Sequence, residues 1–229
     1  MIKLFVFDLD GTLVDSLPTI AYALNCTLAD LDQAPIATDV IKTWIGNGSD
    51  VLVARGLSRN IQVDENLPAA LLKKARFLFN EHYAQAGHHR DVVYPNVAET
   101  LKTLKQQGFE LAVLTNKSDA FVEPILTAAE IMPYFSAWVG GQTLKEKKPS
   151  PMGLLHLAKQ FNCQMTEIVM VGDSENDIKA AKAAGCLSAG LTYGYNYGVP
   201  ISQSEPELVM DNLSALLASS WVNKPVLVG

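Results

Sequence analysis

Cysteine is scarce in this sequence. Cys26, Cys163 and Cys186 are scattered and odd in number, with no CxxC pair. That pattern indicates neither a disulfide framework nor a zinc site, and it suits a reducing cytoplasm. Charge is scarce as well: Asp, Glu, Lys and Arg make up 18% of the residues, with a net charge of −6. Such a balance gives no electrostatic reason to expect nucleic acid or an anionic membrane as a partner. No apolar run approaches the roughly 20 residues that span a bilayer. Asp8 and Asp10 interrupt the first apolar run too early for a secretory signal. Core-forming material, by contrast, is plentiful. Hydrophobic residues are 48% of 229, which suits a soluble globular protein of one large domain, or one domain with a smaller insert.

Short apolar runs alternate with helical patterns. Residues 2–7 (IKLFVF), 110–115 (ELAVLT), 167–173 (EIVMVGD) and 187–192 (LSAGLT) read as buried strands. Helical periodicity covers 97–107, 120–130, 151–161 and 174–184. Strands and helices alternating in this way predict parallel βαβ units, an α/β Rossmann-like core with helices on both faces of a parallel sheet. One block breaks the alternation. From about Pro18 to Gly87 the pattern is helical, including a helix over LPAALLKKARFLFNEHYAQA with Asn66 before it and Pro68 in its first turn. The expected organisation is a core of residues 1–16 and 94–229 with a small helical domain of residues 17–93 inserted. The alternative is that these helices cover one face of the sheet. The tail from Trp221 reads as an irregular extension.

Asp8 and Asp10 both fall at the carboxyl end of the first strand, where open α/β sheets bind ligands. Two carboxylates there repel unless a proton or a cation intervenes. Asp10-Gly11 is also an ordinary turn signal, so these two acids by themselves decide little. Other strand ends add to them. ELAVLT ends in Thr115, Asn116 and Lys117, and EIVMVGD ends in Asp173, with Asp177 one helical turn on. Asp173 is expected at or near the helix N-cap, which capping alone would explain. Asp8, Asp10 and Asp173 together make an oxygen-only anionic set suited to a hard cation, Mg²⁺ above all. Lys148, before Pro149 and at the mouth of the next helix, is placed to neutralise acids and a bound phosphate.

DLDGT at 8–12, Thr115-Asn116, Lys148-Pro149 and GDSEND at 172–177 resemble, in order and spacing, the four motifs of the haloacid dehalogenase superfamily. The helical block resembles that superfamily's helical cap domain. The resemblance implies Asp8 as the nucleophile that forms an aspartyl-phosphate and Asp10 as general acid and base. It implies Mg²⁺ held by Asp8, the Asp10 backbone carbonyl and Asp173, with Asp177 orienting Asp173 or a bound water. Thr115, the Asn116 backbone N–H and Lys148 would hold the phosphoryl oxygens. Dehalogenases of this superfamily lack an acid at the Asp10 position, so the implied activity is phosphoryl transfer.

The closer resemblance is to the bacterial phosphoglycolate phosphatase family, carried by WIGNG at 44–48 with LVARGL at 52–57, by LTNKSD at 114–119 and by LTYGYNYGVPIS at 191–202. It implies a small phosphorylated metabolite as substrate, with no nucleic acid or membrane, and a monomer or homodimer in the cytoplasm. Gly46, Asn47 and Gly48 would let cap backbone approach a small anion, unless they only form a turn between cap helices, and Arg55 would reach its carboxylate. Tyr193, Tyr195 and Tyr197 either line the entrance or pack a loop. His88 and His89 have nothing nearby to complete a metal-ligand set. The alternatives are a phosphatase for another small ester or pyrophosphate, a sugar-phosphate mutase, and a regulatory protein that keeps the fold without catalysis.

Overall fold

The computed structural model describes residues 1–87 and 91–223. His88, His89 and the tail beyond Asn223 lie outside the described residues. Six strands form one parallel sheet: β1 (Leu4–Phe7), β4 (Glu110–Leu114), β5 (Ala137–Val139), β6 (Ile168–Gly172), β7 (Leu187–Leu191) and β8 (Leu208–Met210), in the order β5-β4-β1-β6-β7-β8. β1 lies at the centre, with Phe7 opposite Val113 on one side and Val171 on the other.

Alternate residues of the central strands enter two apolar layers. Phe5, Phe7, Leu111, Val113, Val169 and Val171 pack on one face. Leu4, Val6, Ala112, Leu114, Ile168 and Met170 pack on the other. All are buried, and each large apolar side chain is worth roughly 1.5–3 kcal/mol relative to exposure. Burial on both faces explains why these strands read as continuous apolar runs. Helices α5 (Val97–Gln106), α6 (Asp119–Ala128), α7 (Met152–Gln160) and α8 (Glu175–Ala184) follow strands or the insert as expected. Two strands of this sheet were not expected from sequence: β5 and β8, each of three residues and each at a sheet edge.

Two helix starts differ from expectation. α7 begins at Met152, one residue past the expected Pro151, which disfavours helical backbone at Ser150, whose N–H turns back to the Lys147 carbonyl at 2.9 Å. α8 is capped by Ser174, whose hydroxyl accepts the Asn176 N–H at 3.0 Å while Asp177 accepts the Ser174 N–H at 3.0 Å. Capping by Ser174 leaves the Asp173 carboxylate available to the site.

Between the first strand and α5 stand four helices: α1 (Leu17–Ala29), α2 (Thr38–Lys42), α3 (Ser49–Ser58) and α4 (Ala69–Ala86). α4 buries Ala75, Phe79, Tyr83 and Ala86, a stripe at helical spacing, and packs on α1. The chain enters and leaves this block through an antiparallel ribbon of β2 (Val14–Asp15) and β3 (Val92–Val93), with Val14 opposite Val93. Among the described residues, no helix is long and apolar enough to cross a membrane.

Candidate active site

The ends of β1, β4 and β6 bring the motif residues to one sheet edge. The Asp8 N–H still donates to Val171 O at 2.9 Å, and the Thr115 N–H to Val139 O at 2.9 Å, so both side chains stand on the last rungs of the ladder. After Asp8 the chain turns through Gly11, whose φ of +84° belongs to the left-handed region. A Cβ there would lie 2.4 Å from Asp173 Oδ2, so only glycine lets the first loop approach that carboxylate.

The two acids of the first strand part company. The Asp8 carboxylate joins an inner cluster with Asp173 and Asp177, whose oxygens lie within 4.8 Å of one another. Lys148 Nζ bridges Asp8 Oδ1 at 2.9 Å and Asp177 Oδ1 at 2.6 Å. Asp173 accepts the Thr12 hydroxyl at 2.7 Å and the Tyr195 N–H at 2.6 Å. Burial pushes the Asp8 carboxyl above its ordinary pKa, with Lys148 opposing and Asp177 adding to the rise. Burial, then the charges of Asp8 and Asp177, does the same to Asp173. Burial works to lower the Lys148 ammonium, but Asp177 and Asp8 outweigh it and hold it above its usual range. With all three carboxylates ionised, one ammonium leaves two negative charges uncompensated. A hard divalent cation fits that oxygen-rich deficit.

The Asp10 carboxylate turns instead toward the helical insert. It accepts from the Ser16 hydroxyl and from Lys117 Nζ, at 2.9 and 3.0 Å to its two oxygens. Lys117 is buried, and its ammonium lies 4.6 Å from the Tyr83 ring centroid. Tyr83 meets the Phe121 ring edge-on at 4.8 Å, joining α4 to α6 above the site. Between these groups lies a cavity of about 50 Å³, with Asp8, Asp10, Thr115 and Asp173 on its floor and Ile20, Leu52 and Phe79 among its walls.

The loop Gly46-Asn47-Gly48 closes this cavity. Gly46 and Gly48 have φ of +126° and +83°, and both line the space. The Gly46 carbonyl accepts from Asn116 Nδ2 at 2.9 Å and from Asn176 Nδ2 at 3.1 Å. The Tyr197 hydroxyl accepts from Asn176 at 2.7 Å and donates to Asn47 Oδ1 at 3.1 Å. Asn47 faces that tyrosine and is not among the cavity-lining residues. Arg55 stands apart from its expected place. Its guanidinium donates to Trp44 O at 2.6 Å and Ile61 O at 2.9 Å, which braces the loop from behind and keeps it out of the cavity lining.

The haloacid dehalogenase-like hydrolase family model matches residues 5–191. The chain belongs to this family. It is 46% identical over 217 residues to a phosphoglycolate phosphatase of Aliivibrio fischeri, spanning 95% of this chain and 96% of that protein. A phosphoglycolate phosphatase of Colwellia psychrerythraea is 47% identical over 95% of this chain and 96% of its own length. A crystal structure described as that of a predicted phosphoglycolate phosphatase from Haemophilus somnus matches with a TM-score of 0.88 at 43% identity, over 95% of this chain and 97% of that one. The chain is a phosphoric monoester hydrolase.

In this haloacid dehalogenase-like hydrolase the motif residues Asp8, Thr115, Lys148, Asp173 and Asp177 converge, and Asp10 stands beside them. Asp177 meets Lys148 and the Ser174 N–H, so it positions the lysine and the α8 start, and it approaches Asp173 without a hydrogen bond between them. Two contributors, Lys117 and Asn176, carry no mark of their own in the sequence. Lys117 was read only as part of a polar strand end. Asn176 was read only as part of a motif. The three tyrosines each tie a different segment: Tyr193 to Thr12 O at 2.8 Å, Tyr195 to Asp15, and Tyr197 to Asn47. Their spacing at every second residue was the signal available.

Proposed function

We propose that the protein is a Mg²⁺-dependent phosphatase acting through an aspartyl-phosphate on Asp8, with 2-phosphoglycolate as its principal substrate and glycolate and phosphate as products. The observation that carries the substrate size is the small cavity of about 50 Å³ over Asp8 and Asp10. It admits only a few water-sized groups beyond the reacting atoms. Such a space suits a small leaving group better than a sugar, which favours a small ester over the mutase reading.

Asp8 attacks phosphorus and displaces the alkoxide. Asp10 protonates that oxygen, then removes a proton from the water that hydrolyses the acyl phosphate. Thr115, the Asn116 N–H and Lys148 hold the phosphoryl oxygens as charge shifts among them. Lys148 is held for this by Asp177. Asp8, Asp173 and the Asp10 carbonyl would hold Mg²⁺, which when bound offsets the repulsion between Asp8 and an anionic phosphate.

Residues 17–93 act as a cap that opens to admit substrate and closes to exclude water, moving on the ribbon at Val14–Asp15 and Val92–Val93. Gly46 and Gly48 supply its inner backbone surface. The scattered free cysteines suit a cytoplasmic setting.

The test is phosphate release with Mg²⁺ from a panel of small esters, sugar phosphates and pyrophosphate, compared by kcat/KM. The proposal expects 2-phosphoglycolate to stand well above the rest. A flat profile would remove the substrate assignment and leave the chemistry. Folded protein silent on every ester would remove both.

A further inference from the structure

We propose that Lys117 is the residue by which this site recognises an anionic group on the leaving alcohol. Among the described residues it is the one cationic side chain that lines the cavity. Lys148 is not among the lining residues and is held between Asp8 and Asp177. Lys117 reaches the cavity wall from the end of β4, with a side chain only 7% exposed. Burying an ammonium at a cavity wall costs solvation that a merely structural partner for Asp10 need not incur, since Ser16 already donates to the same carboxylate.

Position decides what Lys117 can recognise. Asp10 marks where the ester oxygen departs, because it is the acid that must protonate it. Lys117 Nζ lies 2.9 and 3.0 Å from the two Asp10 oxygens. An ester of the form phosphate–O–CH₂–COO⁻ carries its second anion two bonds from the departing oxygen, within reach of a cation one hydrogen bond beyond Asp10. The remaining surroundings sharpen the choice. The Tyr83 face, Phe79 and Leu52 exclude water and strengthen an ion pair there.

The inference rests on the phosphatase reading and supplies its substrate subsite. It is tested with 2-phosphoglycolate and ethyl phosphate, which share the phosphate ester and differ in the carboxylate. The wild-type protein, Lys117→Met and Lys117→Arg are compared by the ratio of kcat/KM for the two esters. Loss of the Lys117–Asp10 contact slows both esters in the Met variant, so the ratio is the readout. The proposal expects a wild-type ratio far above one, a fall of at least about 50-fold in Lys117→Met, and retention of most of the ratio in Lys117→Arg. If the Met variant does not fold, Lys117→Gln, which can still donate to Asp10, gives the same readout. A high wild-type ratio that survives neutral substitution would reduce Lys117 to a support for Asp10 and overturn the proposal, with the phosphoglycolate reading intact. A wild-type ratio near one would overturn both, since the site would then read no second anion.

Discussion

The active-site edge holds two carboxylate–lysine centres that differ in balance. The inner one sets Asp8, Asp173 and Asp177 against Lys148 alone. The outer one sets Asp10 against Lys117. With every carboxylate ionised, only the inner centre carries excess negative charge. A charge deficit inside a protein demands a cation, whereas a balanced pair demands nothing until substrate arrives. The difference separates a metal-dependent place for phosphorus from a place for the leaving alcohol. It also explains why two acids two residues apart in sequence can do different work.

The largest way to break this division is Asp8→Asn. Turnover is expected to fall by roughly 10⁴-fold or more, with far-UV circular dichroism unchanged. Retained turnover would remove Asp8 as nucleophile. Asp10→Asn should slow hydrolysis by roughly 10²–10⁴-fold, the range for losing a general acid–base, and a pre-steady-state measurement should show phosphoenzyme accumulating. Equal, complete loss in both variants, with no phosphoenzyme, would argue that the acids share one role.

Lys148→Met attacks the inner balance directly. It leaves three buried carboxylates without their ammonium, and breaking a buried pair costs about 3–5 kcal/mol. A fall in Tm of roughly 10 °C is expected in the metal-free protein, partly recovered by Mg²⁺. An unchanged Tm would mean the inner acids carry their protons and need no cation.

A gentler probe is the pH dependence of metal stabilisation. Asp8 and Asp173 have their folded pKa values raised, by burial first. Their protonated forms therefore favour the fold. That contribution is full below about pH 4 and is lost as pH rises through the folded values. Mg²⁺ needs the deprotonated acids, so its gain in Tm should be larger at pH 8 than at pH 5, by a few degrees. A gain independent of pH would place the metal away from these carboxylates. The smallest expected effect is at the cap latch. Tyr197→Phe loses the hydroxyl shared by Asn176 and Asn47, worth about 1 kcal/mol. A rise in KM of roughly fivefold, with kcat little changed, is the expected result of a cap that closes less readily.

The inner centre was legible in the sequence and the outer one was not, for a physical reason. Asp8, Thr115 and Asp173 each sit where an apolar strand ends, so a local pattern marks them and parallel topology brings them together. Even there, the Ser174 cap had to be seen before Asp173 was freed from a capping role. Lys117 carries no local mark, because its partner Asp10 is 107 positions away. Arg55 shows the opposite failure. A lone arginine near a glycine loop suggests an anion ligand, but its donors lie on the Trp44 and Ile61 carbonyls. β5 and β8 are too short to show a period. Gly46 and Gly48 were legible as turn formers, whereas the hydrogen bonds that dock their loop come from the distant Asn116 and Asn176.

The most direct test of the division between the two centres is to locate the covalent phosphoryl group. The protein is mixed with substrate and Mg²⁺, quenched in acid within the first turnover and reduced with borohydride. Peptide mass mapping then finds the aspartate converted to homoserine. The account predicts conversion at Asp8 and none at Asp10. Conversion at Asp10, or none anywhere during active turnover, would contradict it.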